Sequence, residues 1–243
     1  MLDIRARFLT SVGVAAALWF APVDAHAFEG ELKARLSGQP GASLNVQAWY
    51  SATGDVRIDT AGKSPEGQPL RGSTILPAEG DAYYSVSHNQ RVIVEVPYSA
   101  LRDSSQDVAR EGADSNLEIK KLGPETVSGV KTQHVRILDK DNNATIDLWM
   151  TQKYPPDLWT QAFRGRNLGL EMSDEERTKA MKKYGVKPGF AMKMKVRQPG
   201  RPPVEFLVTE IKRAPVPPGT FSLPQGYQRV KPQVQPTGRP PSP

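Results

Sequence analysis

Apolar and polar side chains alternate along most of this chain, and this alternation limits the possible folds more than any other feature of the sequence. Leu32, Ala34 and Leu36 are separated by Lys33 and Arg35. Because successive side chains of a strand point to opposite faces, the alternation indicates a β-strand with one buried face. The pattern returns many times between turn residues, which predicts a mostly β protein built on an antiparallel sheet.

The alternation also predicts where the strands lie. The first is expected over residues 28–36, and the others over residues 44–50, 56–58, 74–76, 82–88, 91–96, 117–122, 133–138, 144–151, 190–196 and 204–211. A passage rich in Gly, Pro and Ser over residues 62–72 predicts a long loop. Asn89-Gln90 and residues 139–143 predict hairpin turns.

Three segments lack the alternation and predict short helices. Residues 98–112 are expected to form a short helix that crosses one mouth of the sheet, and residues 157–163 a short amphipathic helix. A longer charged helix is expected over residues 174–184, because Ser173 and Glu176 have the spacing of a capping box.

The first 27 residues have the order of a secretory signal peptide. Arg5 and Arg7 precede an apolar run over residues 8–22, and the segment ends in small residues at Ala25 and Ala27. The run is shorter than the roughly 20 apolar residues of a membrane span. We expect cleavage after Ala27 and export to the periplasm, with the extracellular medium as the alternative.

Composition limits how the exported part is held together. The chain contains no cysteine, so neither a lipid anchor at the cleavage site nor a disulfide is expected, and the protein should be soluble and not membrane-anchored. Residues 28–230 are expected to form a single β domain. Residues 231–243 are rich in Pro and nearly lack large apolar side chains, which predicts a disordered tail.

The net charge is moderately basic. The chain has 32 Lys plus Arg against 26 Asp plus Glu, a formal charge of +6. A basic surface favours anionic partners such as phospholipid headgroups. Because the basic residues are interspersed with acidic ones, we interpret the charge mainly as solubilising, and nucleic acid is not expected as a partner.

The sequence predicts no catalytic, metal or cofactor site. His88 and His134 each stand among strand residues without the ligand spacing of a zinc site. Residues 139–143 alternate oxygen-bearing side chains like a calcium loop, but Ala144 and Met150 occupy the positions that require Gly and Glu. Neither a Gly-x-Ser-x-Gly segment nor a Gly-rich phosphate loop occurs. The sequence therefore favours a protein that is not an enzyme and needs no cofactor.

Several strands carry aromatic side chains in both phases of the alternation. Trp49, Tyr50, Tyr84 and Trp149 are the candidate ligand-binding residues, and Trp49 and Trp149 fall opposite the main apolar set of their strands. If the sheet is curved, such residues can line an apolar groove. The alternative is ordinary core packing, since aromatic residues dominate protein cores.

Several short motifs follow one another between residue 28 and about residue 230. They are Phe28-Glu29-Gly30, Gly54-Asp55-Val56-Arg57-Ile58, Val127-Ser128-Gly129-Val130-Lys131-Thr132, Ile146-Asp147-Leu148-Trp149-Met150 and Gly219-Thr220-Phe221-Ser222-Leu223-Pro224-Gln225-Gly226-Tyr227. Taken in this order, these segments resemble the LolA-like superfamily. More closely, the chain resembles a branch of uncharacterised secreted bacterial domains within it.

The resemblance implies a half-barrel, a strongly curved antiparallel sheet whose concave face is covered by short helices and can hold acyl chains. The first hypothesis is therefore a non-catalytic periplasmic protein that binds a lipid, a lipoprotein acyl chain or another apolar ligand. The alternative is an envelope protein with a closed core that binds a protein partner through its tail or its charged helix.

Overall fold

The computed structural model describes residues 28–38, 43–64, 66–99, 117–141, 143–154, 158, 185, 187 and 189–231. Within these residues the chain forms twelve β-strands that belong to one sheet. The strands are β1 (Gly30–Ser37), β2 (Ser43–Tyr50), β3 (Val56–Lys63), β4 (Pro69–Leu76), β5 (Ala82–Ser87), β6 (Val92–Pro97), β7 (Leu117–Val127), β8 (Val130–Asp139), β9 (Ala144–Thr151), β10 (Phe190–Arg197), β11 (Val204–Arg213) and β12 (Gln228–Val230).

The sheet is open and mostly antiparallel. Its strand order is β12-β6-β5-β4-β3-β2-β1-β11-β10-β9-β8-β7, so β1 joins two meanders by pairing with β2 on one side and β11 on the other. The short strand β12 is the exception, since it pairs in parallel with β6. The predicted mostly β, antiparallel class is confirmed.

The strand register defines two faces of the sheet. Leu32 of β1 pairs with Ala48 of β2 and Ile211 of β11, and the face that carries these residues is called the apolar face below. Lys33 pairs with Gln47 and Glu210, and their face is called the polar face. Because register fixes the face of each side chain, the alternation seen in the sequence separates core from surface in β1 and its neighbours.

The largest cluster of buried residues includes much of the apolar face. Leu32, Ala48, Tyr50, Val56 and Val208 are each at most 1% exposed. Burying a large side chain of this kind stabilises a fold by about 1.5–3 kcal/mol. The sheet therefore owes much of its stability to this face.

The far edge of the sheet curls back toward its middle. Ser128 and Gly129 have positive φ angles of 48° and 75°, which is the pattern of a tight type I′ turn between β7 and β8. The Ser128 hydroxyl donates a hydrogen bond of 2.6 Å to the Val208 carbonyl of β11, although β8 is three strands away from β11. A flat sheet could not make this contact, so the sheet is curved.

The β7–β8 turn can reach Val208 of β11 because β10 does not pair with β11 at this position. The two strands pair only from Lys193 and Leu207 to Val196 and Val204. Beyond that point β10 contains a register shift against β9, between Ala191 and Lys193. The β7–β8 turn supplies a donor where β10 no longer pairs with β11.

The predicted loop over residues 62–72 is too long, because both of its ends belong to strands. Strand β3 runs to Lys63 and β4 starts at Pro69, and Gly62 pairs with both Leu44 and Leu70. A Cβ atom on Gly62 would lie 1.9 Å from the Ser43 carbonyl oxygen, so the close approach of two strands requires glycine here. Glycine is therefore a mark of tight strand pairing at this position and not of a loop.

The other predicted strands are confirmed, with β7 and β8 longer than expected, and β12 adds a strand that the sequence did not predict. The Asn89-Gln90 turn is also confirmed, and so is the turn between β8 and β9 at the described residues 140, 141 and 143. The predicted signal peptide, nearly all of the tail and most of the predicted helical segments lie outside the described residues. Of those segments, Tyr98 and Ser99 are helical and Leu158 is fully buried. The helical cover of the concave face remains a prediction.

No helix in the part of the chain that the structure describes is long and apolar enough to cross a membrane.

Candidate functional site

One end of the apolar face carries apolar side chains that are only half-buried. Leu36 pairs with Leu44 on β2 and with Phe206 on β11, and Phe206 pairs with Met194 on β10. These four residues and Val46 are all of intermediate exposure, and they are called the apolar patch below.

The apolar patch continues the buried core along the strands. On β1, Leu32 and Ala34 are buried while Leu36, two residues further, is half-buried. On β2 the gradient runs the same way, because Ala48 and Tyr50 are buried and Leu44 is half-buried. A contiguous apolar surface of this kind can hold an apolar ligand.

The four aromatic residues predicted to line a groove are divided between the two faces. Tyr50 lies on the apolar face, where it is buried with its ring edge-on to Phe28 at 5.7 Å, and burial raises the pKa of its hydroxyl. Trp49 and Tyr84 lie on the polar face. Trp149 pairs with Lys193, and it is buried in the same cluster as Leu32 and Tyr50. Their contact with a ligand remains a prediction.

Trp149 belongs to a polar network that sequence reasoning missed. Its ring stacks on His134 with centroids 4.2 Å apart, and the Lys193 ammonium lies 4.9 Å from the ring centroid. The Trp149 Nε1–H donates to Glu125 Oε2 at 2.7 Å, and His134 Nδ1 lies 2.7 Å from Glu125 Oε1. These hydrogen bonds lower the pKa of Glu125.

Asp147 is the buried centre of this network, with no exposed side-chain surface. Arg136 Nε donates to it at 2.7 Å, Arg197 Nη1 donates at 2.5 Å, and His134 Nε2 lies 3.0 Å away. Burial acts to raise the pKa of Asp147, but the hydrogen bonds from Arg136, His134 and Arg197 outweigh burial and lower it. The network thus holds an ionised carboxylate and ties β8, β9 and β10 together.

A second network holds the C-terminal segment on the polar face. His88 Nε2 lies 2.7 Å from Ser73 Oγ, and His88 Nδ1 lies 3.0 Å from the Tyr227 hydroxyl. Arg57 donates to Ser73 Oγ and to the Thr220 carbonyl. We call this set the C-terminal clasp.

The C-terminal clasp resembles a nucleophile and base pair only in part. Ser73 is 4% exposed, and its Oγ also accepts a hydrogen bond from Arg57. The outer nitrogen of His88 faces the Tyr227 hydroxyl, where a carboxylate would orient a catalytic histidine. These contacts fit a structural role. His134 lies within β8, whereas His88 directly follows β5 in a turn, and each imidazole has a hydrogen-bond partner at both nitrogens.

Apolar packing supports the same segment. Ile75, Val86 and Ile93 form a buried cluster, and Leu223 and Tyr227 of the C-terminal segment pack against it. The final segment therefore covers apolar side chains on β4, β5 and β6.

No group of three or more His, Asp or Glu side chains among the described residues has an arrangement that could hold a metal ion. The stretch that resembled a calcium loop is the turn between β8 and β9.

The motifs that resemble known proteins have structural roles in these networks. Arg57 and Tyr227 belong to the C-terminal clasp, and Asp147 and Trp149 belong to the buried network. Ser128, from another motif, closes the β7–β8 turn onto β11. These motif residues therefore contribute to the frame of the sheet.

The chain belongs to the family described as Domain of unknown function (DUF4412), which matches residues 28–227. The expectation of an uncharacterised domain is confirmed by this match. No curated protein matches the chain.

Among solved structures, the chain is similar to an uncharacterized conserved protein from Thermus thermophilus, with 10% identity, a TM-score of 0.46, and coverage of 93% of this chain and 99% of that one. It is similar to the lipoprotein LppX from Mycobacterium tuberculosis, with 11% identity, a TM-score of 0.41, and coverage of 87% and 96%. It is also similar to a LolA superfamily protein from Nitrosomonas europaea, with 10% identity, a TM-score of 0.29, and coverage of 87% and 96%.

Proposed function

We propose that this chain is an exported, non-catalytic binding protein that holds the acyl chain of a lipid against the apolar face of its sheet. The observation that carries the proposal is the apolar patch, which leaves Leu36, Leu44, Val46, Met194 and Phe206 half-buried beside a fully buried core. An acyl chain would complete the burial of these side chains. Burying apolar area stabilises a complex by about 25 cal/mol per Å² before the costs of association.

The polar face supports the non-catalytic part of the proposal. Its two histidines are held between hydroxyl or carboxylate partners, and Asp147 is engaged by two guanidinium groups. Side chains that are held by such hydrogen bonds and ion pairs stabilise the sheet. The signal segment predicted over residues 1–27 supports export to the periplasm.

A second function is favoured by the other end of the apolar face. Leu32, Ala48 and Val208 are completely buried within the protein itself. If the apolar face is closed in this way along its whole length, the chain has no room for an apolar ligand, and its function would be that of an envelope protein that binds a protein partner. The two functions differ in whether the apolar patch takes up an apolar molecule.

Uptake of a fluorescent fatty acid by the purified protein tests the first function. Leu44→Asp places a carboxylate in the apolar patch, where an unpaired charge is strongly disfavoured. We expect at least a tenfold loss of affinity, which corresponds to about 1.4 kcal/mol.

Asn45→Asp is the matched control, because Asn45 is exposed on the polar face and the charge change is the same. It should bind like the parent protein. Leu36→Ser provides a milder second variant if Leu44→Asp folds poorly. Equal loss in the Leu44 and Asn45 variants, or no uptake by the parent protein, would reject the acyl-chain proposal in favour of the protein partner.

A further inference from the structure

The hairpin turn between β8 and β9 presents an asparagine to solvent. Asn143 is exposed, with a positive φ of 48°, a left-handed conformation that asparagine adopts more readily than most residues. The next residue, Ala144, starts β9 and pairs with Asp139. The asparagine therefore stands at the tip of a hairpin whose base is fixed by the sheet.

The residues around this asparagine form an acceptor sequence for N-linked glycosylation. Thr145 follows Asn143 at the second position with Ala144 between them, which satisfies the Asn-x-Thr rule. Asp141, two residues before the asparagine, is also exposed and adds a carboxylate to the stretch. Of the six asparagines of the chain, only Asn143 has Ser or Thr at the second following position.

We propose that Asn143 is a site of N-linked glycan attachment, with a lipid-linked oligosaccharide pyrophosphate as the donor. The Asn143 Nδ2 atom forms a bond to the anomeric carbon of the first sugar. The bond between that carbon and the pyrophosphate oxygen breaks, and the lipid pyrophosphate leaves with the electron pair. The amide loses one proton to a base of the transferring enzyme, so no oxidant or reductant is required.

The position of the site fits this modification. A bulky polar glycan is tolerated on a surface turn and not on a packed face. The tip projects beyond the paired residues Asp139 and Ala144, so a glycan there leaves the apolar patch and both polar networks in place. The inference rests on the predicted export of the chain and is independent of the acyl-chain proposal.

The test is coexpression of the full chain with a bacterial oligosaccharyltransferase and its lipid-linked donor, followed by intact mass spectrometry. A second copy of the sequence of residues 141–145, appended after Pro243, reports whether the chain reaches the enzyme. We expect two glycan masses on this protein and one on its Asn143→Gln variant.

The chain offers a matched control in the neighbouring asparagine. Asn142→Gln changes the same functional group outside the acceptor rule and should keep both glycans, as should Thr145→Ser. Thr145→Ala should lose the glycan at the hairpin. A glycan on the appended copy alone in the parent protein, or an unchanged mass in Asn143→Gln, would overturn the proposal.

Discussion

The imidazole of His134 stacks on the indole of Trp149, with ring centroids 4.2 Å and planes 19° apart. One carboxylate, that of Glu125 on the edge strand β7, meets both rings through its two oxygens. The other nitrogen of His134 faces buried Asp147. The stack therefore links the edge of the sheet to a buried charge two strands further in.

Removal of the buried charge should destabilise the fold. Asp147→Asn leaves Arg136 and Arg197 without an anionic partner, although both guanidinium groups are partly exposed and can regain water. We expect a loss of about 2–3 kcal/mol in the free energy of unfolding, below the full cost of breaking a wholly buried pair. Urea denaturation monitored by circular dichroism measures it.

The control for this change is Glu118→Gln. Glu118 pairs with Lys120 and Lys140 near the opposite end of β7 and is solvent-accessible. Exposed ion pairs contribute little, so the midpoint of its urea transition should match that of the parent protein. Equal losses in the two variants would contradict the central role given to Asp147.

The same carboxylate should give the fold an acid limit. The folded pKa of Asp147 lies below the ordinary value of 3.8, so its contribution is present above that value and is lost as the pH falls toward the lowered pKa. Glu125, whose pKa is also lowered, acts in the same direction. Between pH 5 and pH 3, a window set by these ordinary carboxyl values, the midpoint of thermal unfolding should fall less in Asp147→Asn than in the parent protein. Parallel curves would argue against this assignment.

The C-terminal clasp predicts a local effect. Tyr227→Phe removes the hydroxyl that faces His88 but keeps the ring on its apolar cluster. We expect a loss of about 1 kcal/mol and faster amide exchange in β12. Tyr84→Phe is the control, because the Tyr84 ring packs on the same cluster. If amide exchange in β12 rises as much in Tyr84→Phe as in Tyr227→Phe, the effect does not come from the contact between Tyr227 and His88.

The β7–β8 turn gives a further stability prediction. Ser128→Ala removes the donor to the Val208 carbonyl, and we expect a loss of about 1 kcal/mol in the free energy of unfolding. Lys131→Ala, on an exposed position of β8, should be close to neutral. A neutral Ser128→Ala would show that the contact with β11 contributes little to the stability of the fold.

The sequence was sufficient for the fold class because alternation reports burial directly. In β1, Leu32 and Leu36 fall on one face and Lys33 on the other, and the register agrees. The predicted loop was too long because a glycine can indicate either a loop or the close approach of two strands. Gly62 indicated a loop, whereas the structure uses it where two backbones approach closely. Strand β12 has three residues, too few for alternation to be recognised.

The polar networks could not be predicted because their members are distant in sequence. Asp147 stands 13 residues from His134 and 50 residues from Arg197, and register alone brings them together. The sequence did indicate that each tryptophan alternates with the apolar residues of its strand, and the register of Trp49 and Trp149 agrees. Their partners, Arg57 and His134, became visible only with the strand order.

Native mass spectrometry of the protein purified from its own cell envelope tests the central claim most directly. We predict a complex heavier than the polypeptide by the mass of one lipid, which organic extraction releases and identifies. The Leu44→Asp variant should arrive without the lipid, and Asn45→Asp should retain it. A parent protein that shows only the polypeptide mass, and that takes up no fatty acid when one is offered, would contradict the claim.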